Sequence, residues 1–213
     1  MINPNVENAV DLGLPSGTWW AAHNLGASRP EDPGDYYAWG ETASKETFNW
    51  RMYAHCDGDV NSCHNIGECI SGTENDVAKA LWGTDWQIPT LEQWWELARY
   101  SSFEWTAFNG VRGGRFTGPN GNSIFLPAAG FRGGTRLNEH GDYGHYWSGT
   151  HRPVPNSTED EDLAFYLLLG PKCDLAYWSL VANSASRCLG QSVRPVCPQR
   201  EGSYIGVRNS GTS

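Results

Sequence analysis

The residues best suited to chemistry cluster between positions 54 and 76, where carboxylate, amide, thiol and imidazole groups lie close together in the chain. Four of them match oxygen-ligand positions of a twelve-residue calcium loop: Asp57, Asp59, Asn61 and Glu68. The match fails at the sixth position, which is Ser62 instead of glycine, and no helices are predictable on either side. These four residues are therefore a weak metal candidate. We expect an insertion loop over 54–76 that needs no metal or cofactor.

Three of the six cysteines, Cys56, Cys63 and Cys69, lie in the same loop. Their separations of seven and six residues differ from the close Cys-x₂₋₄-Cys pairs of compact zinc sites. Disulfides or free thiols are favoured over zinc. We predict at least one disulfide within this loop, which favours an oxidising compartment.

Motifs of common enzyme sites are missing. The sequence has neither a Gly-x-Ser-x-Gly elbow nor a Gly-x₄-Gly-Lys-Ser/Thr phosphate loop. A glycine-flanked basic series could hold an anion, although carbonyl and carboxylate partners within the fold are the more common use of such residues. That series consists of Arg112, Arg115, Arg132 and Arg136. The motifs therefore do not predict an enzyme.

Net charge restricts the partners. At a formal charge of −9 the chain repels phosphate backbones and anionic lipid headgroups, so we expect no nucleic-acid partner. The sequence has no run of the ~20 apolar residues that a membrane span requires. Its polar first residues lack the apolar core of a signal peptide. We expect export through a removed segment, or another route such as assembly into a virus particle.

Length and composition indicate one loop-rich domain. A chain of 213 residues suits a single core, and 25 Gly, 12 Pro and 11 Trp favour a fold rich in loops and aromatic packing. We predict one domain over 1–197 and a polar C-terminal tail over 198–213. No period of 20 to 50 residues recurs, which excludes repeat architectures.

The predicted secondary structure is α+β, with one or two short helices and short antiparallel strands. Thr90 and Gln93 form a capping box before apolar residues at helical spacing, which predicts a helix over about 91–100. A second, shorter helix is predicted around 76–81, with Val77, Ala80 and Leu81 on one face. Beyond residue 102, apolar runs alternate with Gly, Asn and Pro clusters, as is typical of strands and turns.

The segment 163–169 is apolar on both faces of a predicted strand. Phe165 and Leu167 would point to one side with Leu163 and Leu169. Ala164, Tyr166 and Leu168 would point to the other. A central strand buried on both sides fits this pattern, and so does a strand that exposes Tyr166 and Leu168 to a partner.

Six segments in order along the chain resemble a known family. They are DLGLPSGTWWA (11–21), PEDPGDYYAWGET (30–42), WQIPTLEQW (86–94), LPAAGF (126–131), YWSGT (146–150) and SVRPV (192–196). Together they resemble the Fibrobacter-type paralogous surface domains of gut Bacteroidetes and the variable proteins of diversity-generating retroelements. This resemblance implies a C-type-lectin-like fold of the formylglycine-generating-enzyme type.

The resemblance also implies that the segment over about 143–196 is rewritten by adenine-specific mutagenic copying. Template AAY codons then become NNY codons, which cannot encode Trp, Lys or Gln, so Trp147, Lys172, Trp178 and Gln191 are expected to be scaffold. The expected variable, ligand-binding residues are Tyr143, His145, His151, Arg152, Ala164, Tyr166, Leu168, Asp174, Ala176, Tyr177, Ser179, Leu180, Asn183, Ser184, Ser186, Cys188 and Leu189. We expect Ala164, Tyr166 and Leu168 to be exposed and to form one patch with the 174–180 and 183–189 loops.

Some features depart from related activities. The Glu-Pro-Asn, Gln-Pro-Asp and Trp-Asn-Asp motifs of calcium-dependent sugar binding do not occur, and Cys188 and Cys197 are nine residues apart, unlike the nearby reactive pair of the oxidase. The leading hypothesis is thus a non-enzymatic receptor-like protein that binds a protein ligand, outside the cell, at a cell surface or on a virus particle. A carbohydrate-binding adhesive domain is the first alternative, for which the aromatic residues offer stacking platforms. An enzyme related to formylglycine-generating enzymes is the second.

Overall fold

The computed structural model describes residues 8–153, 162–172 and 183–198. Within these ranges the chain forms two α-helices and short strands, mostly in small antiparallel sheets. The α+β prediction with few helices and short antiparallel strands is therefore confirmed. In the described ranges, neither helix has the length and apolar character needed to cross a bilayer. The predicted tail lies outside these ranges beyond residue 198.

The elements follow one another from a strand-poor first half to a strand-rich second half. The helices are α1 (Val77–Trp82) and α2 (Leu91–Tyr100). The strands are β1 (Ala9–Asp11), β2 (Trp19–Ala21), β3 (Ser102–Phe108), β4 (Val111–Thr117), β5 (Ser123–Pro127), β6 (Phe131–Gly133), β7 (Arg136–Asn138), β8 (Gly144–Arg152), β9 (Leu163–Leu169), β10 (Asn183–Ser186) and β11 (Val196–Cys197).

Three of the sheets have three strands each. One has the order β1-β2-β11 and so joins the two ends of the described chain. The second is the meander β3-β4-β5, and the third has the order β10-β9-β8. A separate hairpin pairs β6 with β7. The third sheet carries most of the described residues that were expected to vary.

Helix α2 begins where the capping box predicts. The Thr90 side chain accepts a hydrogen bond from the Gln93 amide at 3.2 Å, and the Gln93 side chain accepts one from the Thr90 amide at 2.9 Å. Leu91, Trp94 and Leu97 are buried at helical spacing. The helix packs against β8 and β9, so it supports the third sheet from one side.

Helix α1 is present as predicted, but the face that Val77, Ala80 and Leu81 share is not the one that is buried. Val77 and Ala78 are buried, whereas Ala80 and Leu81 are exposed. The reason lies at the start of the helix, where the fully buried Asp76 carboxylate accepts hydrogen bonds from the amides of Ala78 and Ile88. This anchor holds the first turn against the core and leaves the last turn in solvent.

The third sheet is packed on both sides. On one side Tyr146 and Leu167 join a buried cluster that includes Trp94 of α2. On the other, Trp147 and Ala164 join a second buried cluster. The interpretation of 163–169 as a strand buried on both sides is therefore correct for much of β9.

The 54–76 loop contains one disulfide, between Cys56 and Cys63, which confirms the prediction for this loop. Replacing both by serine should lower the free energy of unfolding by about 2 kcal/mol, because the bond restricts a short loop in the unfolded chain. Urea unfolding measures the loss. As a matched control, Cys69→Ser should change stability by less than about 0.5 kcal/mol, since Cys69 is exposed and is a free cysteine in the described chain. Equal midpoints for the double variant and the control would contradict a stabilising role.

Candidate functional site

Strand register in the third sheet decides which candidate residues share a face. His145 pairs with Leu168 across the β8–β9 ladder, and Trp147 pairs with Tyr166. Tyr166 in turn pairs with Asn183 across the β9–β10 ladder. Since directly paired residues point to the same side of a sheet, these five residues lie on one face.

This face is only partly open to solvent. Tyr166 and Leu168 are half-buried. They are thus neither fully buried, as in a central strand, nor fully exposed, as on an open face. Ala164, which was expected to be exposed, is fully buried. That expectation was wrong because Ala164 lies toward the end of the sheet that packs into the second buried cluster with Trp147.

A series of aromatic rings runs along this face, from the half-buried Phe131 and Tyr166 to the buried Trp147. The Phe131 ring lies 4.9 Å from the His145 ring, and His145 stacks on Tyr166 at 5.2 Å with an angle of 14° between the planes. The edge of this series reaches Trp147, whose ring centre is 6.3 Å from that of Tyr166. We call Phe131, His145, Tyr166 and Leu168 the aromatic patch. Its half-buried members are Phe131, Tyr166 and Leu168, whereas His145 is buried beneath them.

A carboxylate lies at the edge of the aromatic patch. Glu139 Oε2 is 2.7 Å from His145 Nε2. Burial lowers the pKa of His145, although the hydrogen bond to Glu139 opposes that change. Burial raises the pKa of Tyr166, and the nearby Glu139 charge raises it further. Burial therefore favours the neutral forms of the His145 imidazole and the Tyr166 phenol beside the Glu139 carboxylate.

Strand alternation separates other candidates from the patch. Ser184 pairs with Phe165 and Ser186 with Leu163, so both serines belong to the opposite face of the sheet. The Ser184 hydroxyl accepts a hydrogen bond from the Arg152 guanidinium at 2.6 Å. The expectation that the 183–189 segment shares one surface with Tyr166 was therefore wrong for Ser184 and Ser186. Strand period two places neighbours in sequence on opposite sides.

His151 belongs to an ionic cluster that the sequence did not predict. Its Nε2 lies 3.0 Å from Asp162 Oδ1, and the second oxygen of Asp162 accepts a hydrogen bond from the Arg187 guanidinium. Arg187 is buried, with its guanidinium over the rings of Trp39 and Tyr53. His151 thus connects the end of β8 to Asp162, which precedes β9, and through it to Arg187, which follows β10.

The remaining described candidates occupy different surroundings. Cys188 is buried, contrary to its expected role at a surface, and burial raises the pKa of its thiol to about 11. Leu189 is half-buried against the second buried cluster. Tyr143 is exposed, and its carbonyl accepts a hydrogen bond at 2.8 Å from the amide of Gly130, the residue before β6. Tyr143 directly precedes β8 in the chain.

Several predictions fall on residues whose structure is not described. These are the variable candidates Asp174, Ala176, Tyr177, Ser179 and Leu180 and the scaffold candidate Trp178, which lie outside the described residues. Of the other scaffold candidates, Trp147 and Gln191 are fully buried, whereas Lys172 is exposed.

The weak calcium candidates have other roles. Asp59 caps a short 3-10 turn by accepting from the Asn61 amide at 2.8 Å, and Asp57 lies 3.5 Å from the His64 ring. In the described ranges, no three or more His, Cys, Asp and Glu side chains come together as a metal site would require.

The basic series is also divided among separate contacts. Arg112 pairs with Asp142 at 3.0 Å and Arg115 with Glu104 at 3.5 Å. The Arg132 guanidinium lies over the Tyr36 ring at 5.1 Å. Each of these three arginines therefore has a different partner, which is the common structural use of such side chains.

Comparisons of the chain with known protein families, with curated proteins and with solved structures found no match.

Proposed function

We propose that this protein is a non-enzymatic, receptor-like binding protein that displays a diversified surface on a C-type-lectin-like scaffold. Its ligand is a protein, and it acts outside the cell, at a cell surface or on a virus particle. The aromatic patch and Asn183 beside it form the described part of the binding surface. The fold type and the diversification are proposed from the family resemblance. The position of the binding surface is proposed from the aromatic patch.

The observation that supports this function best is the placement of Tyr166 and Leu168. Both are half-buried on a strand whose opposite face packs into a core cluster, so their backbone is held firmly while their outer atoms remain accessible. Tyrosine supplies a large contact area at a small loss of side-chain entropy, and Asn183 adds adaptable hydrogen bonding. A rigid base with such side chains is what a protein-binding surface requires.

The codon rule agrees with burial at two positions and narrows the proposed site. Trp147 and Gln191, which NNY codons cannot encode, are fully buried. Ala164 and Cys188 could be encoded by NNY codons, but they are buried too, so they would alter a ligand surface only indirectly. We therefore restrict the described contact surface to the half-buried and exposed residues in and around the aromatic patch, which the buried His145 supports from below.

The genome around the gene provides the most direct test. We expect a reverse-transcriptase gene nearby and a second, Asn-rich copy of the region that encodes about 143–196. Sequencing of the flanking DNA would reveal both. A complete genome with neither feature would remove diversification from the proposal and leave only a fixed binding surface.

Tolerance to substitution provides a test on the protein itself. The triple variant Tyr166→Ser, Leu168→Ser, Asn183→Ser should lose less stability than the single variant Leu167→Ser, because Leu167 is fully buried between them in sequence. For the single core variant we expect a loss of about 3 kcal/mol, in the range of large-to-small core changes. Urea unfolding of both variants measures the difference. If the triple variant does not fold while Leu167→Ser does, the patch is part of the core and not a site for display.

A further inference from the structure

Glu139 is a carboxylate at the edge of the aromatic patch that has no arginine or lysine partner among the described residues. Its side chain is 46% exposed, and its ion-pair partner among the described residues is His145. His145 is buried, and burial lowers its pKa, so the imidazole is mostly neutral at physiological pH. By contrast, Asp142 in the same turn lies 3.0 Å from the permanently charged Arg112.

The backbone around Glu139 holds this carboxylate in place. Glu139 has a φ of 56°, an uncommon value for a residue with a side chain. Its carbonyl accepts from the amides of Asp142 at 3.0 Å and Tyr143 at 2.9 Å, and the Gly141 amide donates to the Ala128 carbonyl at 2.7 Å. Positive φ at a residue other than glycine costs of order 1 kcal/mol and often accompanies a functional role. The backbone that bears this carboxylate is therefore held in place, and the 2.7 Å contact with His145 orients one of its oxygens.

Aromatic side chains lie next to this carboxylate. Glu139 bonds to the ring of His145, which contacts Phe131 at 4.9 Å and Tyr166 at 5.2 Å between ring centres. Phe131 and Tyr166 are both half-buried, so part of each remains open to a ligand. A carboxylate next to aromatic rings is the combination that attracts an organic cation, by charge and by the negative face of the ring.

The charge of the whole chain favours the same kind of partner. A net charge of −9 creates a field that draws basic surfaces toward the protein and repels acidic ones. A basic partner could present lysine or arginine. Arginine fits this site better, since its planar guanidinium can pair with a carboxylate through two hydrogen bonds and stack on a ring at the same time.

We infer that the protein ligand presents an arginine side chain that pairs with Glu139 and lies against Phe131 and Tyr166. This inference rests on the proposed function, because it names the chemistry of the partner that the aromatic patch binds. Lysine can replace the arginine more weakly, as a cation without the planar fork.

Selection from a random dodecapeptide library displayed on phage tests the inference, with the intact protein as the target. Peptides whose binding is lost in a Tyr166→Ala protein should be enriched in arginine. After synthesis, replacing that arginine by citrulline, which has nearly the same shape but no charge, should weaken binding by about tenfold, as expected for a charge-assisted hydrogen bond. Lysine should cause a smaller loss.

Glu139→Gln should weaken the same peptides to a similar degree. Its amide oxygen can still accept the hydrogen bond of His145, so the variant is expected to fold, which its thermal unfolding curve checks. Glu104→Gln is the matched control, because it removes the same charge from β3, where Glu104 faces Arg115. It should leave peptide affinity unchanged within about twofold, since β3 belongs to another sheet and the exposed Glu104 charge, paired with Arg115, is screened by salt.

The outcomes separate the inference from the function on which it rests. Peptides that depend on Tyr166 but bind equally to the wild type and to Glu139→Gln would overturn the arginine partner and leave the aromatic patch as a binding surface. A selection that yields no Tyr166-dependent peptide would overturn both.

Discussion

Replacing Trp147 by alanine is expected to lower the free energy of unfolding by about 3–5 kcal/mol, as for other buried aromatic residues. Trp147 is fully buried in the second core cluster. Its indole N–H donates to the Tyr37 carbonyl at 2.8 Å, and its amide donates to the Ser192 carbonyl at 3.1 Å. Alanine would leave a large cavity and would remove one of the two hydrogen bonds that the Tyr37 carbonyl accepts, the other being from the Gln191 amide. It would also remove the ring against which the edge of Tyr166 lies.

Urea unfolding of the variant measures this loss, with Trp19→Ala as the matched control. Trp19 is half-buried on β2, next to the fully buried Trp20, so its removal should cost clearly less. A loss for Trp147→Ala no greater than that for Trp19→Ala would contradict the role of Trp147 at the centre of the core. Any remaining peptide binding by folded Trp147→Ala would report how far the patch depends on the scaffold beneath it.

Helix α2 could be predicted to the residue because its signals are local. The capping box of Thr90 and Gln93 and the spacing of the apolar residues all lie within one short segment, and the structure uses each of them as expected. Helix α1 illustrates the limit of such reasoning. Its position followed from the sequence, but its buried face was set by Asp76 bonding to the distant Ile88 amide, which no helical pattern encodes.

The burial of β9 could not be derived from its own residues. A strand with apolar residues on both faces is compatible with two packed sides or with one open side, and only distant segments decide between them. Here Trp147 and the second cluster cover Ala164, whereas Tyr166 and Leu168 remain partly accessible farther along the same strand. One strand thus contains both outcomes, and the sequence offered only a choice between them.

Only part of the candidate site could be predicted from the sequence, because two of its members belong to other elements of the fold. Tyr166 and Leu168 were predicted from strand period and codon reach, whereas His145 and Asn183 were expected to vary because of the family resemblance. Phe131 and Glu139 were not, since the first comes from the β6–β7 hairpin and the second from a turn. The signal for Phe131 was its place at the end of the LPAAGF segment. For Glu139 there was no such signal, because a positive φ at glutamate is not readable from sequence.

The segment SVRPV near residue 194 has a structural basis that differs from ligand binding. Arg194 is fully buried, and its guanidinium donates to Asn24 Oδ1 at 2.9 Å and to the Phe125 carbonyl at 2.8 Å. It also donates to the Ala21 carbonyl at 3.1 Å. Burial lowers the pKa of Arg194 to about 10, which still leaves the group charged at neutral pH. One side chain therefore joins β2, β5 and the loop after β2 to the end of the described chain.

Arg194→Met is accordingly expected to lower the free energy of unfolding by about 3–5 kcal/mol, even though methionine is apolar and similar in length. Apolar replacement of a buried ion pair can be harmless when both partners are changed, but here the partners include backbone carbonyls of Ala21 and Phe125, which no side-chain substitution removes. Arg194→Lys should recover only part of the loss, since one ammonium cannot reach acceptors in three directions.

Urea unfolding of both variants gives the measurement. Arg112→Met, at an exposed arginine that pairs with Asp142, is the control that should change stability by less than about 0.5 kcal/mol. Arg194→Met as stable as that control would mean that these carbonyls do not depend on the guanidinium, and the segment would then need another explanation for its place in the fold.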